Sequence, residues 1–176
     1  MAETDAGAGA PGPAGADTTG APGGAQAAKA PPLALTAQYV KDLSFENPGA
    51  PQNLADLNPP PTIKVDVDVE ARQLSGQFYE AVIHIRAEAS RDDKTFFVVE
   101  VSYGGLCTVA DDVPQQHIQP LVMIEGPRLL FPFARAVISD AVRDGGLPPL
   151  LINPIDFTAL YQQMQANAKA ATEGEA

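Results

Sequence analysis

Cysteine is almost missing from this chain of 176 residues. Cys107 stands alone, so no intramolecular disulfide can form and an oxidising compartment is not indicated. Histidine is nearly as scarce: His84 and His117 are the full complement, and neither lies at metal-ligand spacing from the cysteine. Basic residues are few, 11 Lys and Arg against 22 Asp and Glu, for a formal charge of −11. That balance argues against nucleic acid, which requires clustered cations, and against an anionic membrane surface. It favours solubility and basic partners.

No run approaches the roughly 18 consecutive apolar residues of a membrane span. The N-terminus has neither a basic start nor a run of Leu, Ile, Val or Phe, so it does not read as a secretory signal. These absences lead to the expectation of a soluble, cytoplasmic protein. Catalytic signatures are also missing. Gly104-Gly105 is not followed by the Gly-Lys-Ser/Thr of a phosphate loop, and no Gly-x-Gly-x-x-Gly follows a strand. The carboxylate pairs Asp66/Asp68 and Asp111/Asp112 read as a solvated strand face and a turn. Cys107, beside Leu106 and Val109, reads as a packed thiol, since nothing nearby in sequence lowers its pKa. His84 reads as a surface polar residue. The expectation is a non-enzyme without metal or cofactor.

What is present divides into three parts. Residues 1–32 contain 23 Ala, Gly or Pro and no aromatic residue, a composition too poor in apolar surface to offset chain entropy. They read as a disordered arm. Residues 33–168 form the domain, and 169–176 read as a flexible C-terminal tail.

Within the domain the period is first two, then near 3.6. A strand is expected over about Leu35–Glu46, then a proline-rich connection from Asn47 to Pro61. In the second strand Ile63, Val65, Val67, Val69 and Ala71 alternate with Lys64, Asp66, Asp68 and Glu70, the pattern of a sheet with one face wet. In the third, Tyr79, Ala81, Ile83, Ile85 and Ala87 point inward, and Glu80, His84, Arg86 and Glu88 outward. In the fourth, Phe97, Val99, Val101 and Tyr103 point inward, and Phe96, Val98, Glu100 and Ser102 outward. Gly104-Gly105 reads as a bulge or bend in it. Leu130, Phe133, Ala134, Val137, Ile138 and Ala141 then recur at helical spacing. Pro127 and Pro132 predict a kink or break near the start, and Gly145-Gly146 a stop. A last helix begins at the N-cap Asp156. Strands first and helices afterwards indicate α+β.

Two surfaces stand out. In an extended chain Asp42, Ser44 and Glu46 share one face of the first strand, with Gln38, while Leu35, Ala37, Tyr39, Leu43 and Phe45 take the other, with Lys41 among them. A charged outer sheet face suits docking better than chemistry. The run Leu129-Leu130-Phe131-Pro132-Phe133 cannot all face one core, and Phe96 and Val98 pose the same question on the sheet. Exposed apolar area of this kind marks interaction sites.

Four blocks in this order resemble the bacterial protein-export chaperone family SecB. They are Tyr39–Pro48; Val99-Glu100-Val101 followed by Gly104-Gly105; Leu130–Arg135; and Pro148–Leu160, ending in Asn153-Pro154-Ile155-Asp156-Phe157-Thr158-Ala159-Leu160. The resemblance spans about Gln38–Met164, and the Ala/Gly/Pro arm departs from the family's short polar N-terminus. It implies a four-stranded antiparallel sheet with two helices, and a homotetramer built as a dimer of dimers. It further implies an ATP-independent holdase that binds unfolded precursor proteins in the cytoplasm and passes them to SecA, the motor of the Sec translocase. Asp42, Glu46 and Glu100, with Val98, match the positions that receive SecA's basic, zinc-bearing tail. Phe45, Leu130, Phe131 and Phe133 match segments that line client grooves. The rival reading is a non-catalytic adaptor that binds a folded basic partner through the same acidic sheet.

Overall fold

The computed structural model describes residues 30–173. The arm expected over 1–32 lies outside the described residues except for Ala30, Pro31 and Pro32. The elements run β1 (Leu33–Glu46), α1 (Gln52–Ala55), β2 (Thr62–Ser75), β3 (Phe78–Arg91), β4 (Lys94–Val109), α2 (Gln115–Asp144) and α3 (Phe157–Glu173). The four strands form one antiparallel sheet in the order β1-β4-β3-β2, and the α+β class holds.

Short turns join β2, β3 and β4 into a meander. Gly76 takes a φ of +51° between the first pair, and Asp92 and Asp93 take +52° and +58° between the second. Two successive residues in the left-handed region give the turn whose twist matches the flanking strands, and Asp tolerates that region better than most side chains.

One face of the sheet carries the core. Ala81, Ile83, Ile85, Ala87 and Ala89 of β3 are buried, as are Phe97, Val99, Val101, Tyr103, Cys107 and Val109 of β4. The alternation holds from Ile83 to Ala89 and from Phe97 to Tyr103, where each strand has a neighbour on both sides and a helix above. Burial pushes the Cys107 thiol pKa up, as befits a packed residue. α2 lies on this face and buries Val122, Met123, Leu130, Phe131, Ala134, Ile138 and Val142. Each of these side chains except Ala134 contributes roughly 1.5–3 kcal/mol. Close approach uses glycine: a Cβ on Gly126 would fall 2.8 Å from the Ala81 Cβ.

The helix departs from expectation. It starts at Gln115 and runs without a break through Pro120, Pro127 and Pro132. An interior proline costs about 3 kcal/mol against alanine. Val122, Met123, Gly126 and Pro127 are all buried in the half that was not anticipated, and this burial outweighs the propensity. Beyond the stop at Gly145-Gly146, Asp156 caps α3, its Oδ1 accepting from the Thr158 and Ala159 N–H groups at 2.9 and 3.0 Å. α3 packs through Phe157, edge-on to Phe131 at 5.8 Å. It continues to Glu173, past the boundary at 168.

Other departures concern the strands. In β2 only Val69 is buried, while Ile63 and Val65 are exposed, because β2 is one of the two edge strands. β1 carries two irregularities, at Thr36 and Lys41, where the register against β4 slips by one. A one-residue slip moves every following side chain to the opposite face. Leu43 and Phe45 pair with Val101 and Val99 of the core face, but Tyr39 pairs with Gly104. Tyr39 therefore leaves the apolar face and crosses to the outer one. Gly104 and Gly105 do not interrupt β4, which pairs through them on both sides. They make room instead. A Cβ on Gly104 would fall 2.8 Å from the Tyr39 ring, and one on Gly105 would fall 2.6 Å from Leu35 and 2.7 Å from Leu130.

Candidate functional site

The outer face of the sheet is built by register. Asp42 stands opposite Ser102, Ser44 opposite Glu100, and Glu46 opposite Val98. On the other flank of β4, His84 faces Ser102, Arg86 faces Glu100 and Glu88 faces Val98. The residues expected to dock a partner, Asp42, Glu46, Val98 and Glu100, are thus neighbours on one surface. Their electrostatics differ. Among the described residues neither Asp42 nor Glu46 has an ion pair or a side-chain hydrogen bond, and both are exposed. Glu100 is half-exposed and pairs with Arg86. Arg86 also reaches Glu88 at 3.2 Å, and His84 Nδ1 lies 2.9 Å from Ser102 Oγ.

Toward the other end of the same face lies a feature that alternation missed. Glu80, expected to face solvent, is only 5% exposed. The Tyr39 hydroxyl donates to Glu80 Oε1, Lys41 Nζ lies 3.2 Å from both carboxylate oxygens, and Arg72 Nε donates to Oε2 at 2.5 Å. The Tyr39 hydroxyl does most to hold the Glu80 carboxyl down, to about 2, with Arg72 and Lys41 adding to it. The same contact raises the Tyr39 pKa. This knot depends on the β1 irregularity at Lys41, which has no signature in an apolar/polar pattern.

The second surface is an apolar cleft of about 230 Å³. Three separated segments line it: Leu57, Pro60, Pro61 and Ile63 from the proline-rich connection and the start of β2; Phe96 and Phe97 from β4; and Leu147–Leu150 from the connection between α2 and α3. Phe96, expected to point outward, is buried here. The register of β3 against β4 slips between Ala89 and Ser90, which turns it away from the outer face.

The four expected groove residues are not brought together. Phe45 adjoins the cleft, its ring stacked on Phe97 at 6.0 Å. Leu130 is fully buried, and Phe131 is 6% exposed; both pack in the core and offer little surface, since α2 turns them toward the sheet and α3. Phe133 is exposed, with Leu129 one turn earlier also exposed, so these two form an outward stripe on α2. Leu57, Pro60 and Pro61 lie in a loop, which has no periodicity to read, and Ile63 reads in the sequence as an ordinary member of the β2 alternation.

Among the described residues no group of three or more His, Cys, Asp or Glu is placed to hold a metal ion, and no helix is long and apolar enough to cross a membrane.

A family model described as "Preprotein translocase subunit SecB" matches residues 26–168. The protein-export protein SecB of Parvibaculum lavamentivorans is 49% identical over 149 residues, covering 85% of this chain and 88% of that protein. The corresponding protein of Maricaulis maris is 46% identical, with coverage of 90% and 91%. That of Agrobacterium fabrum is 47% identical, with coverage of 87% and 95%. Among solved structures, a SecB-like chaperone of Mycobacterium tuberculosis in complex with a peptide from an antitoxin matches with a TM-score of 0.58. It is 12% identical and covers 70% of this chain and 90% of that one, a likeness that bears on the fold.

Proposed function

The chain belongs to the SecB family of protein-export chaperones, and on that premise we propose that it is an ATP-independent cytoplasmic holdase that delivers unfolded precursors to SecA. The observation that carries the reading is the coexistence of an apolar cleft with an outer sheet face on which Asp42 and Glu46, among the described residues, lack partners of their own. Unfolded clients expose apolar segments, and the cleft offers Leu57, Pro60, Pro61 and Ile63 to them, with Phe96 and Phe97 buried behind these. A ligand selective for the unfolded chain shifts folding by mass action. Weak contacts suffice if several clefts act on one client, because linked sites raise the effective concentration. This argues for an assembly, and we place it as a homotetramer, a dimer of dimers.

Asp42, Glu46 and Glu100, with Val98 beside them, form the SecA-docking face. Their contacts with a basic tail weaken with salt, since surface charges are screened over about 8–10 Å at ordinary ionic strength. Phe45 sits at the rim of the client site. Leu130 and Phe131 pack away from it, in the core against Gly105 and Phe157.

The deciding experiment is refolding. Several unrelated denatured proteins are diluted into buffer with and without this protein, and recovery is followed with time. Delay of most of them is expected; delay of none rejects the holdase. Phe133→Ser then sorts the helix stripe. Loss of client capture with an intact assembly assigns Phe133 to the groove, and dissociation seen by light scattering assigns it to contact between copies.

A further inference from the structure

We propose that Arg91 is a positioning residue for the apolar cleft, latching its proline-rich wall to the β3–β4 hairpin. The proposal rests on the reading of the cleft as the client site. The wall is the connection between β1 and β2, which supplies Leu57, Pro60 and Pro61. Its internal bonds are short-range, from the N–H groups of Ala50, Asn53, Leu54 and Asn58 to Asn47, Gly49, Pro51 and Asp56, and none of these reaches the sheet. α1 is a single turn with no buried residue, and the five prolines between Asn47 and Pro61 have no backbone N–H to donate.

Two side chains supply the missing fastening. Arg91 Nη1 donates to the carbonyl oxygens of Asp56 and Pro59, each at 3.1 Å. One nitrogen thus ties two points that flank Leu57. The same guanidinium lies 5.0 Å from the centroid of the Phe96 ring, and Phe96 lines the cleft. A cation over an aromatic face is attractive, so Arg91 holds the loop on one side and the aromatic wall on the other. Asn53 adds a second tie, Nδ2 donating to the Phe96 carbonyl at 3.1 Å. The planar, pre-organised fork of arginine suits this double task, and the ammonium of lysine does not. The tight turn at Asp92 and Asp93 follows directly and anchors Arg91 at the hairpin end.

The test pairs affinity with local exchange. Arg91→Ala is expected to raise the dissociation constant for a reduced, carboxymethylated client roughly five-fold, through lost hydrogen bonds and a lost cation–aromatic contact. Arg91→Lys should recover little of it. Hydrogen exchange reads the cause: amides of residues 53–58 exchange faster in Arg91→Ala, while β3 and β4 keep their protection. Unchanged exchange at 53–58, or faster exchange across the whole sheet, overturns the latch. Wild-type client affinity in Arg91→Ala also overturns it, provided Ile63→Asp, which puts a charge in the cleft, abolishes capture. If the unaltered protein captures no client, the cleft reading itself fails, and the exchange measurement still decides the latch.

Discussion

Two groups of carboxylates share the outer face of one sheet, and they are treated in opposite ways. Glu80 is covered and receives Tyr39, Lys41 and Arg72. Asp42 and Glu46 are exposed and, among the described residues, receive nothing. A charge that serves the fold is surrounded by the protein's own donors, because a buried unpaired ion is costly. A charge left in water without a partner costs the fold little and stays free to meet one from outside. Glu100 is intermediate, since Arg86 already holds it.

The comparison can be broken most forcefully at Glu80. Glu80→Gln should lower the unfolding free energy by about 2–3 kcal/mol, measured by urea titration, since charged hydrogen bonds and a depressed pKa are lost together. The pH dependence carries the same signature. The folded pKa, about 2, lies below the ordinary value of 4.5. The stabilisation is therefore complete above the unfolded value and disappears as pH falls toward the folded one. The stability gap between the wild type and Glu80→Gln should stay constant above about pH 5 and close toward pH 2. A gap that widens in acid contradicts the knot.

The acids of the docking face, two free and one held by Arg86, should behave in the reverse manner. Replacing Asp42, Glu46 and Glu100 together by Ala should change stability by less than about 0.5 kcal/mol, as for surface sites generally. Affinity for SecA should fall about ten-fold in calorimetry at low salt, the combined effect of several exposed ion pairs. Unchanged affinity removes the docking assignment. The smallest effect is the sharpest. Arg86→Ala should strengthen binding of the basic tail by about two- to three-fold, because it releases Glu100 from its internal partner. Weaker binding would show that Arg86 contributes to the docking face directly.

Much of this was legible in the residues. The alternation in β3 and β4 placed Ile83, Ile85, Val99 and Val101 correctly, because a central strand under a helix has one buried face and no freedom of register. The acids of β1 were placed correctly for a narrower reason: Asp42, Ser44 and Glu46 all lie beyond the irregularity at Lys41. On its other side the same counting put Tyr39 on the wrong face. An extra residue in a strand leaves no mark on a period of two. The first half of α2 was hidden by its prolines, whose unfavourable propensity is offset only by contacts made in three dimensions. Glu80 and Phe96 looked like outward residues, and each is covered by a side chain distant in sequence. The cleft is the least legible feature, assembled from two connections and a strand end that meet only in the folded chain.

At Gly104 and Gly105 the sheet is reduced to backbone alone. On one side the Tyr39 ring occupies the space that a Gly104 side chain would fill; on the other, Leu35 and Leu130 occupy that of Gly105. Only the backbone of β4 separates the ring that fastens Glu80 from the helix that builds the core. A displacement of α2 at Leu130 has no cushion of side chains to absorb it before it reaches Tyr39. The two surfaces of the sheet meet across bare backbone where the strand has no side chains at all.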